Sequence, residues 1–156
     1  MLFRSYCRYA LIYISGLKYC EMLQADGRYM VQHHQLRHSW YAPTLDFIFE
    51  ARRETLDHGD ARLVSGNLRV FEANWKFLTT QDGDGVVVIH EFRIQPKIPT
   101  PRWLIRRGLK KDLPDMLACI RGLAGGSISV DEAGKDLARC PGDIPPGSKK
   151  MQPSSG

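Results

Sequence analysis

The feature that most constrains this chain is a succession of residue-by-residue alternations over residues 17–95, each closed by a short turn rich in Gly and Asp. Leu45, Phe47, Phe49 and Ala51 alternate with Asp46, Glu50, Arg52 and Glu54 within a strand expected over Thr44 to Leu56. Phe71, Ala73, Trp75 and Phe77 alternate with Glu72, Asn74 and Lys76 within Leu68 to Thr80, and Val86, Val88, His90, Phe92 and Ile94 share one face of Val86 to Gln95. A period of two is the mark of a strand with one buried face. Leu17 to Gln24, Arg28 to Trp40 with mixed faces, and a short Ala61 to Ser65 complete the set. Ala25-Asp26-Gly27, His58-Gly59-Asp60, Gly66-Asn67 and Gln81 to Gly85 supply turns, and Ala42-Pro43 a break. Such short links suit antiparallel neighbours, because parallel strands need long crossovers.

A different period follows. In Pro101 to Leu123, Leu109, Leu113, Met116, Leu117, Ile120 and Leu123 recur at spacings of mostly three and four, which predicts a helix with one apolar face. Arg102, Arg106, Arg107, Lys110, Lys111 and Arg121 make its other faces basic. Pro101 fits a first turn and Gly122 a stop, while Pro114 predicts a kink near Lys110. Met1 to Gly16 reads as the end of a helix and a loop. A long apolar-faced helix after a run of strands predicts an α+β domain in which an antiparallel sheet wraps the C-terminal helix. The domain is expected over residues 1–123. Residues 124–156, rich in Gly, Pro, Ser and Lys, read as a disordered tail.

At 156 residues the chain is long enough for one core, and its net charge of +5 suits contact with phosphate. No run approaches the roughly twenty apolar residues of a membrane span. The first twenty residues carry Arg4, Arg8 and Lys18 without an acid, but the apolar run Ala10 to Ile14 is short and no small-x-small cleavage pattern follows, which argues against a leader. Cys7, Cys20, Cys119 and Cys140 show no CxxC and no paired spacing. They are expected as thiols of a reducing compartment, either the cytoplasm or an organelle interior, with Cys119 a small apolar group on the helix flank.

His33, His34 and His38 invite a metal reading, but on a strand His34 and His38 stand roughly 13 Å apart and His33 faces away from His34, so no metal site is expected. Asp82 and Asp84 open like a calcium loop, yet Val87 and Arg93 occupy the positions of its Gly and Glu. No pattern pairs a nucleophile with a base, and no cofactor motif occurs. His90 is singled out because it falls on an apolar face, where a polar group needs a partner and a ring nitrogen can handle a proton. Trp103 with Arg106, Arg107 and Lys110 is a basic amphipathic segment fitted to an anionic membrane surface. Nucleic acid is not expected, since neither a recognition motif nor a stacking series is present.

Val64-Ser65-Gly66-Asn67, Phe71 to Trp75, the run Phe92-Arg93-Ile94-Gln95-Pro96-Lys97-Ile98-Pro99 with Pro101, and Leu104 to Leu109 with Asp112-Leu113-Pro114 occur in an order and spacing that resemble one family. It is the START-like superfamily of polyketide cyclases/dehydrases and lipid-transport proteins, close to its coenzyme Q-binding branch. With Gly16 to Cys20 the resemblance spans about residues 5–123. It implies a helix-grip fold with an apolar cavity between sheet and C-terminal helix. Ser5-Tyr6 stands where the family usually has Asp-Tyr, Ala73 where it has Gly, and His90 where Tyr is more usual. The family's first strand and helix precede Tyr6, so an N-terminally truncated form, with one sheet edge exposed, is expected.

The expected function is non-enzymatic binding or transport of a hydrophobic small molecule, a lipid, quinone or polyketide, driven by apolar burial at about 25 cal/mol per Å². Phe47, Phe49, Phe71, Trp75, Val88, His90, Phe92, Leu113 and Met116 are the candidate cavity residues. The alternatives are an aromatic polyketide cyclase or dehydratase in which His90 moves protons, and an accessory interaction module with a vestigial cavity.

Overall fold

The computed structural model describes residues 6–37 and 42–124. A short helix, α1 (Tyr6–Tyr13), leads into six strands, β1 (Leu17–Asp26), β2 (Tyr29–Leu36), β3 (Leu45–Arg53), β4 (His58–Gly66), β5 (Leu68–Thr79) and β6 (Val86–Pro96), and then α2 (Arg102–Ala124). The strands form one antiparallel sheet in the order of the chain, so every expected hairpin closes on its neighbour. This is the α+β architecture of a helix-grip fold, an open six-stranded sheet with a C-terminal helix.

One turn lies elsewhere than expected. His58, Gly59 and Asp60 are the start of β4 rather than a bend, and the chain reverses over residues 54–57. Gly59 pairs with Arg53 and Trp75 on its two sides, and a Cβ there would sit 3.3 Å from the Arg52 carbonyl oxygen. Its glycine thus marks a close approach between strands rather than a turn.

The Gly66-Asn67 corner ties three strands together. Gly66 has φ +124°, and a Cβ on it would collide with the backbone of Asp46 and Phe47, so only glycine lets β4 pass so close to β3. Asn67 then clamps the start of β3: its Oδ1 accepts from the Asp46 N–H at 2.8 Å and its Nδ2 donates to the Thr44 carbonyl at 2.7 Å. Lys97, just beyond β6, donates its backbone N–H to the Asn67 carbonyl and its Nζ to the Gly66 carbonyl. Past Arg62 and Glu72 the β4 and β5 ladder opens, and Phe71 meets Phe47 of β3 directly.

The main core is assembled from strands alone. Phe47, Phe49, Ala61, Leu68, Phe71 and Ala73 are buried, with Leu36, Leu45, Ala51, Leu63, Phe92 and Ile94 packed around them. A second cluster joins Ile12 of α1 to Cys119 of α2, with Tyr13 and Leu123 alongside. Helix α2 continues unbroken through Pro114, and its apolar face, including Leu109, Leu113, Met116, Ile120 and Leu123, is half-buried; Cys119 is its fully buried side chain. The expectation of free thiols is corrected for Cys7, Cys20 and Cys119, while Cys140 lies outside the described residues. Cys7 and Cys20 are bonded through sulfur with Cα atoms 5.3 Å apart, and Cys119, buried as expected, is also disulfide-bonded. A thirteen-residue separation with no motif carries no pairing signal; the pairing is made in space, by α1 folding back on β1. The tail expected over 124–156 lies outside the described residues, apart from Ala124, which ends α2.

Candidate functional site

Strand register sorts the inward face into rows. Cys20, His34 and Phe47 face one another across β1, β2 and β3; Met22, Gln32, Phe49 and Leu63 form the next row, which Phe71 and Ile94 continue on β5 and β6. Then come Ala51, Ala61, Ala73 and Phe92, and beyond them Gly59, Trp75 and His90. The result is a ribbon of rings from β2 to β6 flanking a low floor of alanine and glycine. His34 stands edge-on to Phe49 at 4.7 Å, Phe71 lies 4.9 Å from Phe47 and 5.0 Å from Phe49, and Phe92 meets Phe71 edge-on at 5.5 Å. His90 stacks on Trp75 at 3.6 Å, and Trp75 lies parallel to Phe77.

Along this ribbon burial changes sharply. Phe47, Phe49 and Phe71 are buried against one another, whereas Trp75, Val88, His90 and Phe92 are half-buried and Phe77 is 41% exposed. Of the nine candidate cavity residues, the sheet thus brings seven onto one face, three of them in the packed part and four in the open part. Leu113 and Met116 are half-buried on α2. The floor residues Ala51, Ala61, Ala73 and Gly59 were not among the candidates. Their signal is faint, a small side chain at an inward position of each of three neighbouring strands.

Two histidines occupy this face, in different environments. His90 Nδ1–H donates to the Asn74 carbonyl at 3.2 Å, and burial against Trp75 holds its pKa below the ordinary value despite that bond. His34 is 4% exposed, and burial, with His33 adjacent, lowers its pKa to about 4, so at neutral pH it is an uncharged imidazole. Its Nε2–H donates to Gln32 Oε1 at 2.9 Å, and the Gln32 amide, itself fully buried, donates to Met30 Sδ at 3.0 Å. Sequence reasoning placed His34 on a strand face opposite His33, and there it is: His33 lies on the outer face, 2.6 Å from Asp46 Oδ1. It does not mark His34 as the most buried titrating group among the described residues, because β2 has inward-facing polar residues and no clean alternation to read.

The solvent side of α2 carries a separate feature. Trp103, 64% exposed, lines a shallow groove with Arg106, Arg107, Lys110 and Lys111. Aromatic bulk beside four cations is a surface that can insert a ring at an interface while contacting anions. Among the described residues no helix is long and apolar enough to cross a membrane.

Comparison with known proteins agrees with this architecture. A crystal structure of the protein TTHA0849 from Thermus thermophilus has a similar fold, with a TM-score of 0.52 and 16% sequence identity over 81% of this chain and 80% of that one. No curated protein matches the chain. The family model described as polyketide cyclase / dehydrase and lipid transport matches residues 12–121, from the end of α1 through all six strands to the last turn of α2, and the chain belongs to that family.

Proposed function

We propose that the protein binds a hydrophobic small molecule on the open part of its aromatic face and carries it without chemical change. The observation that supports this reading is the half-buried state of Trp75, Val88, His90 and Phe92 above a floor of small residues: apolar area is left on an inward face that the described side chains do not fully cover. Flat rings suit a quinone or a planar polyketide as well as a lipid chain, and membership of a family described by lipid transport points the same way. In this reading Leu113 and Met116, on the half-buried face of α2, cover the guest. Organic extraction of the purified protein followed by mass spectrometry tests the reading. A stoichiometric lipid or quinone is expected; an empty extract, with no rise in melting temperature on adding quinones or lipids, contradicts it.

The groove around Trp103 extends the proposal to a delivery surface. A carrier of apolar molecules has to meet a membrane, and Arg106, Arg107, Lys110 and Lys111 offer charges that each gain about 1 kcal/mol near an anionic bilayer. Co-sedimentation with vesicles containing phosphatidylserine is expected to exceed that with phosphatidylcholine alone and to fall about fivefold per charge removed, as in Arg106→Ala. Equal binding to both vesicle types would refute this extension.

A further inference from the structure

The disulfide between Cys7 and Cys20 does not have two equivalent sulfurs. Cys20 is the cross-strand neighbour of His34, and its Sγ lies 3.3 Å from His34 Nε2 and 4.0 Å from Gln32 Oε1. A disulfide sulfur carries no proton, so the N–H that points at Gln32 also points at an acceptor sulfur. Because Gln32 Oε1 fixes that proton on Nε2, the ring is a neutral donor already aimed at the place where negative charge would develop if the bond broke towards Cys20. Among the described residues no polar side chain reaches the Cys7 sulfur in this way. Both cysteines are half-buried rather than enclosed, so a small thiol has access to the bond.

Thiol–disulfide exchange runs faster when the departing sulfur is the better stabilised thiolate. We propose that Cys7–Cys20 is an exchangeable disulfide, a modification site at which a dithiol reductant attacks the Cys7 sulfur and Cys20 departs as the thiolate beside His34. In the first step the reductant's thiolate forms a sulfur–sulfur bond to Cys7. The bond between Cys7 and Cys20 breaks, and its electron pair goes to Cys20. In the second, the reductant's other thiolate attacks its own sulfur in the mixed disulfide and closes the reductant's ring, and Cys7 leaves. Two electrons pass from the dithiol to the protein, and both cysteine sulfurs take protons from water or remain as thiolates according to pH. The bond is the covalent tie between α1 and β1, and α1 holds the C-terminal part of α2 through Ile12 and Cys119, so exchange loosens the helix pair at the β1 end of the aromatic face.

The order of attack is directly readable. Tryptic cleavage places Cys7 in residues 5–8, Cys20 in 19–28 and Cys119 in 112–121, so adducts on each are told apart. The oxidised full chain is treated briefly with glutathione and trapped directly with excess iodoacetamide at neutral pH, which alkylates every thiol then free. Glutathione on Cys7 with the alkyl group on Cys20 is expected to exceed the reverse pattern by about tenfold; equal amounts, or an excess on Cys20, overturn the proposal. In His34→Phe, if it folds by far-UV circular dichroism, the preference is expected to vanish and exchange to slow, and an unchanged preference removes His34 from its role. The thiol of Cys20 in Cys7→Ser gives a readout that does not depend on that variant. Its surroundings are His34 and Gln32 from β2, and its pKa is expected below the usual value of about 8.5. A value at or above that figure contradicts the proposal.

Discussion

The two halves of the aromatic face are built from the same kinds of residue and end in opposite states. Around Phe47, Phe49 and Phe71 two non-adjacent strands, β3 and β5, bring rings within 6 Å of one another, and the Gly66-Asn67 corner holds β4 tightly against β3. Around Trp75 and His90 two strands face each other in register, with glycine or alanine as the neighbour across β4, and the rings stay half exposed. The difference is one of strand convergence, not composition. A face whose strands converge makes core, and one whose strands lie side by side keeps its apolar area available for a guest.

The comparison breaks most readily at Phe49. Phe49→Ala removes a ring from the converged half, where neighbours on all sides cannot follow it, and is expected to lower stability by about 3 to 5 kcal/mol in urea denaturation. A loss under about 1 kcal/mol would mean that this half is not the core. The next effect comes from His34. Its folded pKa of about 4 lies below the ordinary 6.5, so between those values the unfolded chain takes up a proton that the folded one refuses. Its contribution is intact above pH 6.5 and is lost as pH falls towards 4, up to about 3 kcal/mol in all. Denaturation curves of wild type and His34→Gln at several pH values should diverge only in that window, and parallel behaviour would contradict the burial argument. The smallest stability effect belongs to the open half. Trp75→Ala is expected to cost about 1 to 2 kcal/mol, since part of that ring is already in water, while weakening apolar ligand binding about tenfold. A stability loss as large as that of Phe49→Ala would erase the distinction between the halves.

Much of this organisation can be read from residue order. The alternation in β3, β5 and β6 names the inward side chains correctly, and the turn residues join neighbouring strands correctly except where Gly59 mimics a bend. Alternation reports which face a residue takes and not how tightly that face is covered, so Phe49 and Trp75 look alike in sequence. Depth depends on the close pass at Gly66, a contact between backbones that no side-chain pattern encodes. The polar cluster of Cys20, Gln32 and His34 is illegible for a related reason. His34 donates to Gln32 and Gln32 to Met30 along β2 itself, so the strand carries polar groups inward with no unpaired buried side-chain donor among the described residues. The disulfide, likewise, follows from where α1 docks rather than from any spacing of cysteines.

The central claim is that the open half receives an apolar molecule, and Trp75 reports on it directly. Titration with a short-chain benzoquinone, a strong quencher of indole emission, is expected to give saturable quenching in the wild type that is largely abolished in Trp75→Phe, where only Trp40 and Trp103 remain. Quenching that rises linearly without saturation, or that is the same in Trp75→Phe, would contradict the account.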